Sequence, residues 1–123
     1  MRNLLFSLAI MMAFASCDNC IESPIIDRYY LIEVLADPGD GSGTFQAVES
    51  DKFIEFYSDG TVTSNGELCG MGIDSNSATS GTYSLDTYTI STSGCMDLNF
   101  AVTGDEVILD YPCFEPCRAK FLK

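Results

Sequence analysis

The pattern after Asp27 is what most restricts this chain. Hydrophobic residues recur with period two in short runs, and no stretch reads as a long amphipathic helix. Tyr30, Ile32 and Val34 alternate with Leu31 and Glu33, which predicts a first strand over 28–36. A long connection, DPGDGSGTFQAVES, follows. Ile54 and Phe56 then share one face and Glu55 and Tyr57 the other, before the tight hairpin turn Ser58-Asp59-Gly60. Val62 continues the inward face. After a Ser- and Gly-rich loop at 70–80, Tyr83 and Leu85 alternate with Thr82 and Ser84. Asp86-Thr87 turns into Tyr88-Thr89-Ile90-Ser91. Leu98, Phe100 and Val102 make the next strand, Thr103-Gly104-Asp105 the next turn, and Val107, Leu109 and Tyr111 the strand after it. Ala119 and Phe121 face inward on the last. These runs predict eight short strands joined mostly by hairpins. An array of this kind hides its edges best by closing, so the expected fold is all-β, an eight-stranded antiparallel up-and-down meander closed into a small barrel.

A barrel of eight strands is just wide enough to be filled by its own side chains. The predicted inward set is Tyr30, Phe56, Tyr83, Tyr88, Phe100, Tyr111 and Phe121. Those side chains would either line a pocket for a small apolar ligand or pack as core, and core is the commoner outcome at this size.

The start of the chain sets its compartment. Arg2 precedes an apolar run from Leu4 to Phe14, and the small residues Ala15-Ser16 stand directly before Cys17. This is the layout of a secretory signal peptide, too short for a permanent membrane span. Small residues before a Cys also resemble the lipobox of bacterial lipoproteins. That resemblance implies acylation of Cys17, which would become the first mature residue. The predicted organisation is a signal peptide at 1–16, an acylated Cys and flexible tether at 17–27, and a barrel at 28–123. The acyl chains, palmitate among them, would anchor the protein to the cell envelope, on the periplasmic or surface face of the outer membrane. A rival reading takes Ala13-Phe14-Ala15 as an ordinary cleavage motif and releases a soluble protein beginning at Ser16.

The net charge is −12, and removal of 1–16 takes Arg2 but no acid, leaving the mature chain more negative still. That disfavours nucleic acid and favours cationic ligands or basic proteins. Arg118, Lys120 and Lys123 crowd the last strand, as in a charged sheet edge that discourages association, and a monomer is expected.

There is no His, so the commonest general base and metal ligand are missing. A Ser or Cys nucleophile lacks its usual partner, the scattered acids identify no pair, and the chain reads as a non-enzyme without cofactor. Asp37 and Asp40, in the run DPGDGSG, are a weak calcium candidate, without the spacing or distal Glu of an EF-hand loop. Traced along the meander, Cys69, Cys95, Cys113 and Cys117 fall at one end of the barrel, opposite the start of the first strand. In an oxidising envelope two disulfides are expected there, with three connectivities open, among them Cys113 with Cys117 and Cys69 with Cys95. A four-thiolate zinc site is less favoured, because only Cys113 and Cys117 have ligand-pair spacing. Cys20 is left free or available for an intermolecular bond.

Taken together, RYYLIEVLADPGDGSGTF, FIEFYSDGTVTSNGELC, SGTYSLDTYTI and YPCFEPC resemble small lipocalin-like lipoproteins of Bacteroidota, and the hairpin FYSDGTVTSNG with SGTYSL is similar to META-type barrels. Arg28-Tyr29-Tyr30 stands where lipocalins carry Gly-x-Trp, which argues against a deep cavity. The expected function is a lipid-anchored, non-catalytic envelope module that binds a small apolar ligand or an envelope protein through loops 37–51, 70–80, 93–97 and 112–117. The alternative is an inhibitor of a basic enzyme such as lysozyme. Ser80-Gly81-Thr82-Tyr83 resembles, one residue short, the Ser-Gly-x-x-Tyr motif of lipoprotein lysozyme inhibitors.

Overall fold

A computed structural model describes residues 25–123, and those residues contain no helix. The strands are β1 (Arg28–Ala36), β2 (Gln46–Ala47), β3 (Phe53–Phe56), β4 (Thr61–Ser64), β5 (Thr79–Ser84), β6 (Thr89–Ser91), β7 (Leu98–Thr103), β8 (Glu106–Asp110) and β9 (Cys117–Leu122). All pairings are antiparallel, in the order β2-β1-β3-β4-β5-β6-β7-β8-β9, and β9 also pairs with β1. Eight strands therefore close into the predicted small barrel. β2 lies outside the ring, on the edge of β1 that β3 leaves after Tyr30. The signal segment, Cys17 and Cys20 lie outside the described residues.

Closure changes the reading of the basic residues on β9. The strand has partners on both sides, so it is not an edge. Arg118 pairs with Asp110 at 3.4 Å, Lys120 with Glu33 at 2.7 Å, and Lys123 with Asp27 at 3.3 Å. These pairs stitch the outer wall; Arg118–Asp110 and Lys123–Asp27 are solvent-exposed and contribute little, whereas Lys120–Glu33 is half-buried.

The inward rows of the strands meet around Phe56. Its ring lies 5.1 Å from Tyr83, 5.7 Å from Phe100 and 6.0 Å from Tyr29. Ile54, Val62, Ile90, Leu98, Val107, Leu109 and Phe121 complete a core in which none of these side chains is exposed. The packed body begins before β1: Ile25 is buried in the core and Ile26 packs against it.

Two predicted inward aromatics face out. Tyr30 is 48% exposed, because the first half of β1 buries Tyr29 and Leu31 instead. Both parities of RYYLIEV carry apolar residues, and a bulge between Leu31 and Glu33 lets β1 use them in turn. Beyond the bulge Val34 stands opposite buried Ala119, as the alternation predicted. Tyr88 is also 48% exposed. It belongs to the turn rather than to β6, in the left-handed region at φ 52°, so its ring leaves the inward row and leans on Phe100 at 5.5 Å. Leu85, predicted inward, is likewise exposed at this turn.

Phe56→Ala removes the ring on which three others pack. Denaturant unfolding should show a loss of about 3–5 kcal/mol, whereas Tyr57→Ala on the outer face should change stability by less than about 1 kcal/mol.

Candidate functional site

The four long connections all emerge at one end of the barrel: 37–52 with β2, 65–78, 92–97 and 111–116. The short turns at 57–60, 85–88 and 104–105 lie at the other end with Ile25 and Lys123. Both disulfides belong to the long-loop end, as the meander predicted.

The first connection is organised by Asp37. Its Oδ1 accepts from the amides of Gly39 (2.7 Å), Asp40 (3.1 Å) and Gly41 (3.0 Å), and its Oδ2 accepts from Gly43 at 2.8 Å. Those bonds hold its pKa below the ordinary carboxylate value. Gly43 is required here, because a Cβ would sit 2.8 Å from Asp37 Cα. Asp40 in turn accepts from Ser42 N at 2.9 Å. The pair proposed for calcium thus folds its own loop, with the Asp37 oxygens committed to backbone amides. The Asp37 amide itself donates to Pro116 O at 3.0 Å, which joins this loop to the 111–116 connection.

Lys52 joins the first connection to the second. Only 1% exposed, it donates from Nζ to Gly70 O at 3.1 Å and Gly72 O at 2.8 Å. Gly66 makes room for the stem: a Cβ there would come within 3.0 Å of Lys52 Cδ. Burial lowers the ammonium pKa to about 8, against the opposing pull of Glu67 and Asp74. Asn65 adds two further ties, accepting from Phe53 N and donating to Asp51 O, each at 2.8 Å. No sequence motif singled out Lys52. Its only signal was a lone Lys directly before an inward-facing strand, beside a glycine-rich loop.

Disulfides Cys69–Cys95 and Cys113–Cys117 form one of the three connectivities considered, with Cα separations of 5.9 and 6.1 Å. They use all four cysteines of the described residues, so the zinc reading fails. Thr92 Oγ1 lies 3.1 Å from Cys69 Sγ and 3.2 Å from Cys95 Sγ, fastening the 92–97 loop at that bond. Beside these bridges stand the most exposed large hydrophobic residues described: Phe114 is fully exposed inside the Cys113–Cys117 loop, and Met96, next to Cys95, is 69% exposed. Their loops, 93–97 and 112–117, were predicted to carry binding, but Phe114 and Met96 were not singled out, since exposure of a loop side chain has no signature in the residue pattern.

The remaining predicted contacts sort by burial. Phe56, Phe100, Tyr111 and Phe121 are buried, Tyr83 is half-buried, and Tyr30 and Tyr88 are on the outside. Tyr83 donates its hydroxyl to Tyr57 O at 2.7 Å, tying β5 to the first hairpin. The Tyr111 hydroxyl, at the loop end, has no hydrogen-bond partner among the described residues, and burial pushes its pKa upward. Ser80, Gly81, Thr82 and Tyr83 lie within β5. The chain matches no family model, no curated protein and no solved structure.

Two measurements probe this end. Lys52 binds its proton less tightly when folded, so between pH 8 and 10.5 the unfolded chain holds more protons and stability rises with pH. Equilibrium unfolding should show a gain of about 2 kcal/mol from near pH 7.5 to near pH 9.5, and Lys52→Met should flatten that rise. Second, the bridges span 26 and 4 residues. Chain entropy therefore predicts losses of roughly 3.5 kcal/mol for the Cys69→Ser/Cys95→Ser double variant and roughly 2 kcal/mol for Cys113→Ser/Cys117→Ser.

Proposed function

We propose that this protein is a lipid-anchored, non-catalytic binding module of the cell envelope, and that it engages a basic partner protein through its disulfide-bound loop end. The observation that carries the reading is Phe114, a fully exposed aromatic ring inside a loop closed by Cys113–Cys117, at the end away from Ile25. A rigid exposed aromatic is the kind of side chain that anchors an interface, because little entropy is lost when it is buried. Charge supports the class of partner. Asp37, Asp40, Glu49, Asp51, Glu67 and Asp74 lie on the two longest connections, whose single cation, Lys52, is buried. The packed aromatic core favours recognition by the surface over capture of an apolar ligand inside the barrel. The absence of His and the pairing of all described cysteines support a non-catalytic role. Anchoring rests on the lipobox-like Ala15-Ser16-Cys17 and on the resemblance to lipocalin-like lipoproteins.

The same acidic surface favours a second reading, inhibition of a basic enzyme such as lysozyme. Loss of lysozyme activity at moderate salt, weakened by Phe114→Ala, would select it.

The general reading is tested in its own membrane. Mass spectrometry of the extracted protein should find a chain starting at acylated Cys17; an unmodified chain starting at Ser16 would refute the anchor. A photo-crosslinking residue at position 114 or 96 should capture one discrete protein partner, and the same residue at position 85, at the opposite end, should not. Equal capture from all three positions would sink the loop-end reading.

A further inference from the structure

The outer wall of the barrel carries a concave feature away from the loop tips. A groove of about 470 Å³ lies over β3, β4 and β5 and reaches Arg28 at the start of β1. Its depth follows from side-chain size: Arg28, Phe53 and Tyr57 are large, while Thr63 and Ser80 beside them are small. Volumes of this order suit a small ligand held by a few placed polar groups.

The polar groups are specific. The Arg28 guanidinium lies over the Phe53 ring, 4.0 Å from its centroid. Its Nε and Nη2 both donate to the same oxygen, Glu55 Oε2, at 3.1 and 2.8 Å. Glu55 Oε1 is therefore not engaged by Arg28. A donor-rich cation and an acceptor oxygen thus stand side by side with their charges balanced. Tyr57 is 40% exposed, and its hydroxyl is 3.5 Å from Thr63 Oγ1, so ring surface and hydroxyl groups border the same space.

These features select one class of ligand. An anion is opposed by the net charge of −12. A cation finds the only carboxylate in the groove already paired with Arg28. A purely apolar molecule would strip water from the Arg28–Glu55 pair and offer no hydrogen bond to Glu55 Oε1 or to the remaining guanidinium donors. A neutral ring compound bearing vicinal hydroxyls meets every requirement: its C–H face packs on Tyr57, one hydroxyl donates to Glu55 Oε1, and its neighbour accepts from Arg28. From this geometry we infer that the groove is a carbohydrate-binding site for a neutral oligosaccharide.

Backbone-amide NMR of the ¹⁵N-labelled protein tests it, with maltotriose, cellotriose and chitotriose added separately to millimolar concentration. At least one sugar should shift amides of β3, β4 and β5, leaving those of β7 and β8 in place. Tyr57→Ala should weaken that binding about tenfold. Ser80→Trp, which fills the groove from an exposed position, should abolish it while the unfolding midpoint stays unchanged. A flat titration with all three sugars, shifts confined to the long loops, or unchanged affinity in Tyr57→Ala would overturn the assignment. None of these readouts depends on the disulfide loops, so the groove can fail while the loop-end reading stands.

Discussion

Pairing of β1 with β9 is the interaction on which the rest of this structure depends. Without it the meander would be an open sheet with unpaired groups along both edges. With it, six residues of β1 find partners on β9, from Tyr30 with Leu122 to Ala36 with Cys117. The first and last strands are the most distant in sequence, so this contact closes the largest loop in the fold. Closure also supplies the core, because only a ring brings Tyr29, Phe56, Phe100 and Phe121 into one enclosed space. The bulge at Leu31–Glu33 belongs to the same pairing. It switches the inward row of β1 and adds the local twist that a small barrel needs to close.

Most of this was legible in the residue pattern, since period two is a strong signal wherever one parity is apolar and the other polar. Ile54 and Phe56 against Glu55 and Tyr57, or Leu98 and Phe100 against Asn99, leave one choice of face, and the structure uses it. Parity was ambiguous in RYYLIEV, where both rows are apolar and a bulge takes each in turn. Tyr88 misled for another reason: strand propensity says nothing about a tyrosine held at positive φ by the turn it closes. β2 has two exposed residues and therefore no pattern at all. The disulfide end was predictable from strand direction alone, because direction alternates in a meander. Lys52 was not, because what defines it is a pair of carbonyls contributed by a loop 18 and 20 residues away.

The interior and the two ends have different tasks. The end with short turns is closed by the aromatic cluster and by Ile25. The other end carries every long connection, and there the backbone has few ladder partners. Buried N–H and C=O groups must be satisfied in some other way. Asp37 answers for the amides of the first connection, Lys52 and Asn65 for carbonyls of the first and second, and Thr79 for the turn at Gly66 and Leu68. Two disulfides fasten the remaining two connections.

This arrangement accounts for a charged group in so buried a place. A methionine at position 52 would fill similar volume without desolvating an ammonium, but it would take from the carbonyls of Gly70 and Gly72 the donor they share. The energetic balance between the two is close, as it is for buried charges generally. What differs is specificity. An apolar side chain accepts many positions of a glycine-rich loop, whereas an ammonium between two carbonyls accepts few. The first and second connections are thereby tied to each other at this end. A surface prepared in this way gives up little entropy on association, and that is the property a protruding Phe114 and Met96 require if they are to serve as anchors.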